Sequence, residues 1–270
     1  MVGLKSKPGG ALNWAEARRG RAFTLVELLV AIAVMTVLIG LLVPSLAGVR
    51  EHARRIVCAS NQRQIGLATH MFSDENKGQL PSSVFLPVYT PNAEYRPQDM
   101  VLVRLDEKVR AAAYPGQLWD GLGYLYAQQY LPAPSVYYCP SHRGEIRLDN
   151  FQTKWRGSPG EIVTNYHYRG MGPDGRTKLS LIPGDAALVS DSLRSVEELN
   201  HEGGFNVLQA GLAVVWSPDD HNVIQDLLLR SGGGSGGGAD ADTATTLWQA
   251  LDGDPPSGDV LGGVGASAGH

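Results

Sequence analysis

Two cysteines, Cys58 and Cys139, are all that the 270 residues contain, so at most one disulfide can close, and the sequence leaves open whether the two meet. A basic excess is missing as well. The 23 Lys and Arg stand against 27 Asp and Glu, a formal net charge of −4, which leaves no strongly basic face for nucleic acid. Catalytic signatures are equally scarce. No serine sits in a nucleophile-elbow context. The glycines at 232–238 belong to no strand-loop-helix cradle and have no following Lys-Ser/Thr. Cys139 and His142 have a C-x-x-H spacing, but no second pair at zinc spacing follows. An enzyme is therefore not expected. The most informative absence is charge: Leu28 to Val49 holds no charged side chain across 22 consecutive residues.

At about 1.5 Å rise per residue this run covers roughly 33 Å as a helix, enough for a hydrocarbon core of about 30 Å. A core helix rarely stays uncharged for so long, which leaves a membrane anchor or a cleavable secretory signal. Ser45-Leu46-Ala47 before Gly48 has the small-residue look of a signal cleavage site. The long basic leader and Glu27 at the edge of the run favour the anchor. Lys5, Lys7, Arg18, Arg19 and Arg21 stand against the single acid Glu16, so the positive-inside rule keeps the N-terminus cytoplasmic and everything after Val49 outside. A carboxylate at the position of Glu27 is costly unless neutralised; it is either a functional acid or a side chain that snorkels to the interface.

Arg18-Arg19-Gly20-Arg21-Ala22-Phe23-Thr24-Leu25-Val26-Glu27-Leu28-Leu29 resembles the prepilin signature of type IV pilins and type II secretion pseudopilins. That signature is a short basic leader, a cut before an aromatic residue and an acid at the fifth mature position. The resemblance implies that a membrane prepilin peptidase cleaves between Ala22 and Phe23 and methylates the new amino group of Phe23. The family normally carries Gly before the cut, and Gly20 here lies two residues earlier; cleavage after Ala22 is the one that leaves Glu27 at the family's spacing. Glu27 would then meet the Phe23 ammonium of a neighbouring subunit, turning two expensive charges in an apolar bundle into one pair that sets register. Pro44 falls where pilins carry a helix-bending proline, and a proline inside a helix removes a backbone bond and kinks it. The implied partners are the prepilin peptidase, other pilin or pseudopilin subunits, an inner-membrane assembly platform and membrane lipid. The implied location is the inner membrane, with one span and a periplasmic head.

Beyond the membrane the helix is expected to continue from Arg50 to about Ser73. Val49, Ala53, Ile56, Leu67, Met71 and Phe72 would form its apolar face, with Arg50, Glu51, Arg54, Arg55 and Arg63 in solvent. The turn residues and proline of Asp74–Pro81 end it. Cys58–Leu67 and Asp74–Pro81 resemble a subgroup of large pseudopilin-like proteins of planctomycete-type bacteria. From 82 to 134 the pattern is mixed and reads as an insertion, with possible helices at 99–113 and 116–129. Strands are expected at Val136–Pro140, at Glu161–Arg169 with Tyr166 and Tyr168 opposite Val163, Asn165 and His167, and at Ala186–Asp191. One dominant helix followed by separate strands gives an α+β fold. Its pilin-like spine helix spans the membrane in its first half and packs on a small, mainly antiparallel sheet.

His201 to Trp216, which includes Gly203, Gly204 and Asn206, resembles that subgroup's signature of a His, nine residues and an Asp-Gly hairpin turn. Here Gly211-Leu212 replace the Asp-Gly pair. A Gly-X pair suits a type II′ turn with glycine at its positive-φ first position, so the hairpin is expected to survive. His201 is expected to be a loop histidine hydrogen-bonded to nearby backbone, in preference to a ligand or catalyst. Some pseudopilins hold calcium in a C-terminal loop, and Asp191, Asp219, Asp220, Asp240, Asp242, Asp252 and Asp254 would supply oxygens. No loop has EF-hand spacing, so no cofactor is expected. The glycines after Ser231 begin a flexible tail. A short helix at Ala244–Leu251 would carry Leu247, Trp248 and Leu251 on one side, with Trp248 either incidental or docked on the head or a partner.

These readings divide the chain into a leader (1–22), a transmembrane helix (23–49), an extracytoplasmic head (50–230) and a tail (231–270). They imply a pilin-like subunit, minor or specialised by the size of its head, assembled into a type II secretion pseudopilus or a type IV pilus-like filament. The alternative is a membrane-anchored extracytoplasmic binding protein that never polymerises.

Overall fold

The structure, a computed structural model, describes residues 23–86, 99–107, 116, 118–219, 222–230 and 241–253, apart from the side chains of residues 44, 45 and 47. The leader with Ala22, the linker glycines and residues 108–113 of the expected helix at 99–113 lie outside the described residues. Contacts divide the chain into two units, Met1–Val49 and Arg50–His270. Helix α1, Leu25–Glu75, supplies the described part of the first unit and opens the second.

In the first unit the start of α1 is set by a capping box that the sequence spells as Thr24-Leu25-Val26-Glu27. Thr24 Oγ1 accepts the Glu27 N–H at 3.2 Å, while Glu27 Oε2 accepts the Thr24 N–H at 2.8 Å and its hydroxyl at 2.9 Å. Leu25–Val43 has a mean hydropathy of 2.8 and none of it is buried. It is long and apolar enough to cross a bilayer.

In the second unit, strands β1 (Leu102–Arg104) and β2 (Ile162–Val163) form a small antiparallel ladder beside helices α2 (Gly123–Ala127) and α3 (Leu148–Trp155). Strands β3 (Tyr166–Tyr168), β4 (Ala187–Asp191), β5 (Gly204–Gln209) and β6 (Val214–Pro218) make the main sheet, antiparallel throughout and in that order. Alternation along a strand divides its side chains between two cores. Tyr166, Tyr168, Leu188 and Leu208 join Cys58, Ile65 and Phe72 of α1 in one. Ala187, Phe205 and Val207 join helices α4 (Val223–Arg230) and α5 (Ala241–Leu251) in the other. The sheet is thus covered on both faces.

Several expectations are corrected. The face of α1 that meets the sheet carries Cys58, Asn61, Gln62, Ile65, Ala68, Thr69 and Phe72, whereas Ile56, Leu67 and Met71 are 59%, 46% and 54% exposed. Spacing of apolar residues misplaced this face because Tyr138 and the sheet residues Asp191 and Asn206 offer hydrogen-bond partners that draw Asn61 and Gln62 inward. The expected helix at 99–113 is interrupted by β1, and that at 116–129 is reduced to α2. The expected strand at Val136–Pro140 is a 3-10 turn at Pro134–Tyr137, which drives Tyr137 and Tyr138 into contact with Trp155. The strand expected over Glu161–Arg169 breaks into β2 and β3, which pair with different partners, β1 and β4.

The β5–β6 hairpin forms, but by a three-residue loop. Leu212 N–H donates to Gln209 O at 3.0 Å, Gln209 N–H donates to Ala213 O at 2.8 Å, and it is Leu212, not Gly211, that has positive φ, 70°. Gly211 is required for a different reason: a Cβ there would lie 2.8 Å from the Gly184 carbonyl oxygen. Of the two readings of Trp248, the structure takes the docked one. α5 is not free: Trp248 is 2% exposed and packs with Phe205 and Val207 in the second core.

Candidate functional site

At the start of the first unit, Phe23 is exposed and Glu27 is held by Thr24 as described. The capping-box pattern, a threonine three residues ahead of a glutamate, is a role for Glu27 that apolar-run reasoning overlooked. Pro44 lies within α1, with helix on either side.

In the second unit, four segments converge on a buried polar cluster. α1 contributes Cys58; the stretch after the 3-10 turn contributes Cys139; β4 ends on Asp191; and the loop before β5 supplies His201. One donor atom from each lies within 4.8 Å of the others, and all four residues are buried. The segments are pinned locally. Cys139 N–H donates to Asn165 Oδ1 at 2.7 Å, and Asn61 Nδ2 donates to the Tyr138 carbonyl at 3.2 Å. His201 is flanked by the Trp216 ring, 5.9 Å away and edge-on, and Arg55 stacks over the same ring at 3.4 Å. Arg55 is therefore an aromatic partner and not simply a solvated charge.

Asp191 is fully buried and satisfied on both oxygens. Oδ1 accepts from Cys58 Sγ at 3.0 Å and from Gln62 Nε2 and Asn200 Nδ2, each at 3.2 Å; Oδ2 accepts the Asn206 N–H at 2.6 Å. His201 Nδ1 lies 2.8 Å from Glu51 Oε1, and its Nε2 faces Cys139 Sγ at 3.4 Å, Asn206 Nδ2 at 3.2 Å and Asp191 Oδ2 at 3.7 Å. Tyr166 OH donates to Cys58 Sγ at 3.3 Å. Burial pushes the Asp191 carboxyl up, against the pull of His201 and its hydrogen bonds. Burial likewise raises the Cys58 thiol. For Cys139 burial is outweighed by hydrogen bonds from Cys58 and His201, which bring it down to about 7. Burial is outweighed at His201 as well: Cys139 and the negative charge of Asp191 raise it to about 9.

The two cysteines therefore meet, both as free thiols. His201 bonds side chains of this cluster, in place of the backbone partner expected of it. Gly203 and Gly204 allow the sharp entry from His201 into β5. Gly203 has φ of 77°, and a Cβ on Gly204 would fall 2.5 Å from the Ser217 carbonyl oxygen. Asn206 holds Asp191 through its N–H and touches His201 with its amide. His142 faces elsewhere, towards Asn200 at 2.8 Å and Glu198 at 2.7 Å, so the C-x-x-H pair is split. Of the other acids considered for calcium, two have separate tasks. Asp219 accepts the N–H groups of Ile224 and Gln225 at the start of α4, and Asp252 pairs with Arg169 at 2.7 Å. Asp220, Asp240 and Asp254 lie outside the described residues.

The prokaryotic N-terminal methylation motif matches residues 17–43, and a family described as a protein of unknown function (DUF1559) matches residues 48–180. A type II secretion system core protein G of Klebsiella michiganensis is 32% identical over 107 residues, which are 36% of this chain and 75% of that protein. No solved structure matches the chain at a significant level. An exposed apolar helix under a methylation motif, followed by an α+β head, defines a pilin-like protein with one candidate membrane span among the described residues. The chain belongs to the type IV pilin and type II secretion pseudopilin family.

Proposed function

We propose that this chain is a pilin-like subunit cut by prepilin peptidase between Ala22 and Phe23, methylated at the amino group of Phe23, and assembled through α1 into a type II secretion pseudopilus or a related filament. The observation that carries the reading is the coincidence of the methylation motif over 17–43 with a wholly exposed apolar stretch, Leu25–Val43. Lipid covers that surface before assembly and neighbouring helices cover it afterwards. Among apolar helices, packing gains little hydrophobic energy over lipid, so one polar pair can decide register. Glu27 is the acid for that pair, and the Phe23 ammonium of the next subunit is its partner. On the head, exposed Ile56, Val57, Leu67 and Met71 offer apolar side chains on α1 for lateral contact.

The capping box supplies a sharp test. Glu27→Gln keeps a hydrogen-bonding N3 residue but removes the charge, and Glu27→Ala removes both. Both variants are expected to be processed at Phe23 and to remain unassembled in the membrane. Incorporation of Glu27→Gln at the level of the unmodified chain would reduce Glu27 to a helix cap and contradict the pairing.

A further inference from the structure

We propose that Cys58, Cys139, Asp191 and His201 form a site for one zinc-class divalent metal ion. The inference is independent of the filament reading, since it rests on the head alone. Tetrahedral zinc takes sulfur at about 2.3 Å and nitrogen or oxygen at about 2.0–2.2 Å, which sets neighbouring donors roughly 3.3–3.8 Å apart. Cys139 Sγ to His201 Nε2 is 3.4 Å and His201 Nε2 to Asp191 Oδ2 is 3.7 Å; Cys58 Sγ lies 3.0 Å from the other carboxylate oxygen, Oδ1, as a thiol hydrogen bond. All four donor atoms fall within one 4.8 Å cluster, so small side-chain adjustments complete the coordination. Two thiolates, an imidazole and one carboxylate oxygen make a borderline-soft set, suited to zinc and unsuited to calcium or magnesium.

The surroundings are those of a supported ligand set. Glu51 Oε1 sits 2.8 Å from His201 Nδ1, the carboxylate–histidine arrangement that orients the ring and presents Nε2 to a metal. Gln62, Asn200 and the Asn206 N–H hold Asp191, and Tyr166 OH bonds Cys58 Sγ. A cavity of about 250 Å³, lined by Glu51, Arg143, Asn200, His201 and Glu202 among others, reaches the cluster at His201. The four ligands come from helix α1, the segment after the 3-10 turn, strand β4 and the loop before β5. A bound ion therefore ties the helix to the sheet. Binding displaces the thiol protons of Cys58 and Cys139 and any proton on His201 Nε2, so affinity weakens as the pH is lowered. The competing use of the thiols, a Cys58–Cys139 disulfide, would consume both sulfurs and leave Asp191 and His201 facing no cation.

The test uses the full chain, reduced with a phosphine, stripped by a chelator and then offered Zn(II) or Co(II). One zinc per chain is expected to remain bound through gel filtration. The cobalt form is expected to show thiolate charge-transfer and tetrahedral ligand-field bands, lost in Cys139→Ser and His201→Gln. Glu51→Gln, at the rim, is expected to weaken metal binding about 10–100-fold without loss of fold, which keeps the test valid should a cysteine variant misfold. A reduced chain that emerges metal-free and gives no cobalt charge-transfer band overturns the site. So does a native protein whose mass shows Cys58 and Cys139 already joined.

Discussion

Removing the Trp248 side chain is a direct probe of the second core. Trp248 is 2% exposed; its ring meets His167 edge-on at 5.7 Å and lies 5.6 Å from the Arg169 guanidinium. Trp248→Ala deletes the largest side chain that α5 inserts between the helices and the sheet, a change that costs about 3–5 kcal/mol for a buried aromatic. The adjacent link has its own cost. Asp252 pairs with Arg169 at 2.7 Å, both about nine-tenths buried, and its other oxygen accepts the Ala187 N–H at 2.9 Å. Asp252→Ala strands the buried guanidinium, again about 3–5 kcal/mol. The two residues share Arg169, so the double variant is expected to fall short of the sum. Denaturant unfolding followed by circular dichroism measures these differences. A shift below about 1 kcal/mol for Trp248→Ala would refute a docked α5 and restore a free tail.

Further predictions concern the backbone and the interior charges. Gly203→Ala, at φ 77°, is expected to lose about 1–2 kcal/mol by the same assay and to loosen the approach of His201 to its partners. Asp120 is buried, and burial lifts its carboxyl from the ordinary 3.8 to about 7 despite hydrogen bonds from Val84 N–H and Ser83 Oγ. Between those values the folded chain binds more protons than the unfolded one. Stability is therefore expected to fall as pH rises through that window, by up to about 1.4 kcal/mol per pH unit, with the slope absent in Asp120→Asn. Glu198 has the opposite sign: its interactions with His142 outweigh burial and lower its carboxyl, so its contribution is lost as pH falls. Urea midpoints of Glu198→Gln and the unmodified chain are expected to converge in acid.

The sequence made the first unit legible because its signals are local: an uncharged run, a basic leader and an acid at fixed spacing all lie within the first 49 residues. The main strands were legible for the same reason. Alternating Tyr166, His167 and Tyr168 do face opposite cores, and β5 and β6 do form the expected hairpin. The buried face of α1 was not legible. Its polar residues Asn61 and Gln62 turn inward only because Tyr138, Asp191 and Asn206, remote in sequence, offer matching groups. The same long-range dependence hid the cluster. Cys58 and Asp191 are separated by 133 positions, and no spacing rule joins them. One signal was present in retrospect: Asp191 closes a strand that opens with Ala187, Leu188 and Val189, and a carboxylate in a buried strand needs partners. The docking of α5 was half legible, since Leu247, Trp248 and Leu251 share a helix face, but its target is a sheet surface assembled from β4 and β5.

The measurement that bears most directly on the assembly account is the intact mass and N-terminal sequence of the protein recovered from its native membrane. The expected result is a chain that begins at Phe23 with one added methyl group. A chain that still carries its leader, or one that begins at Gly48, would contradict the account.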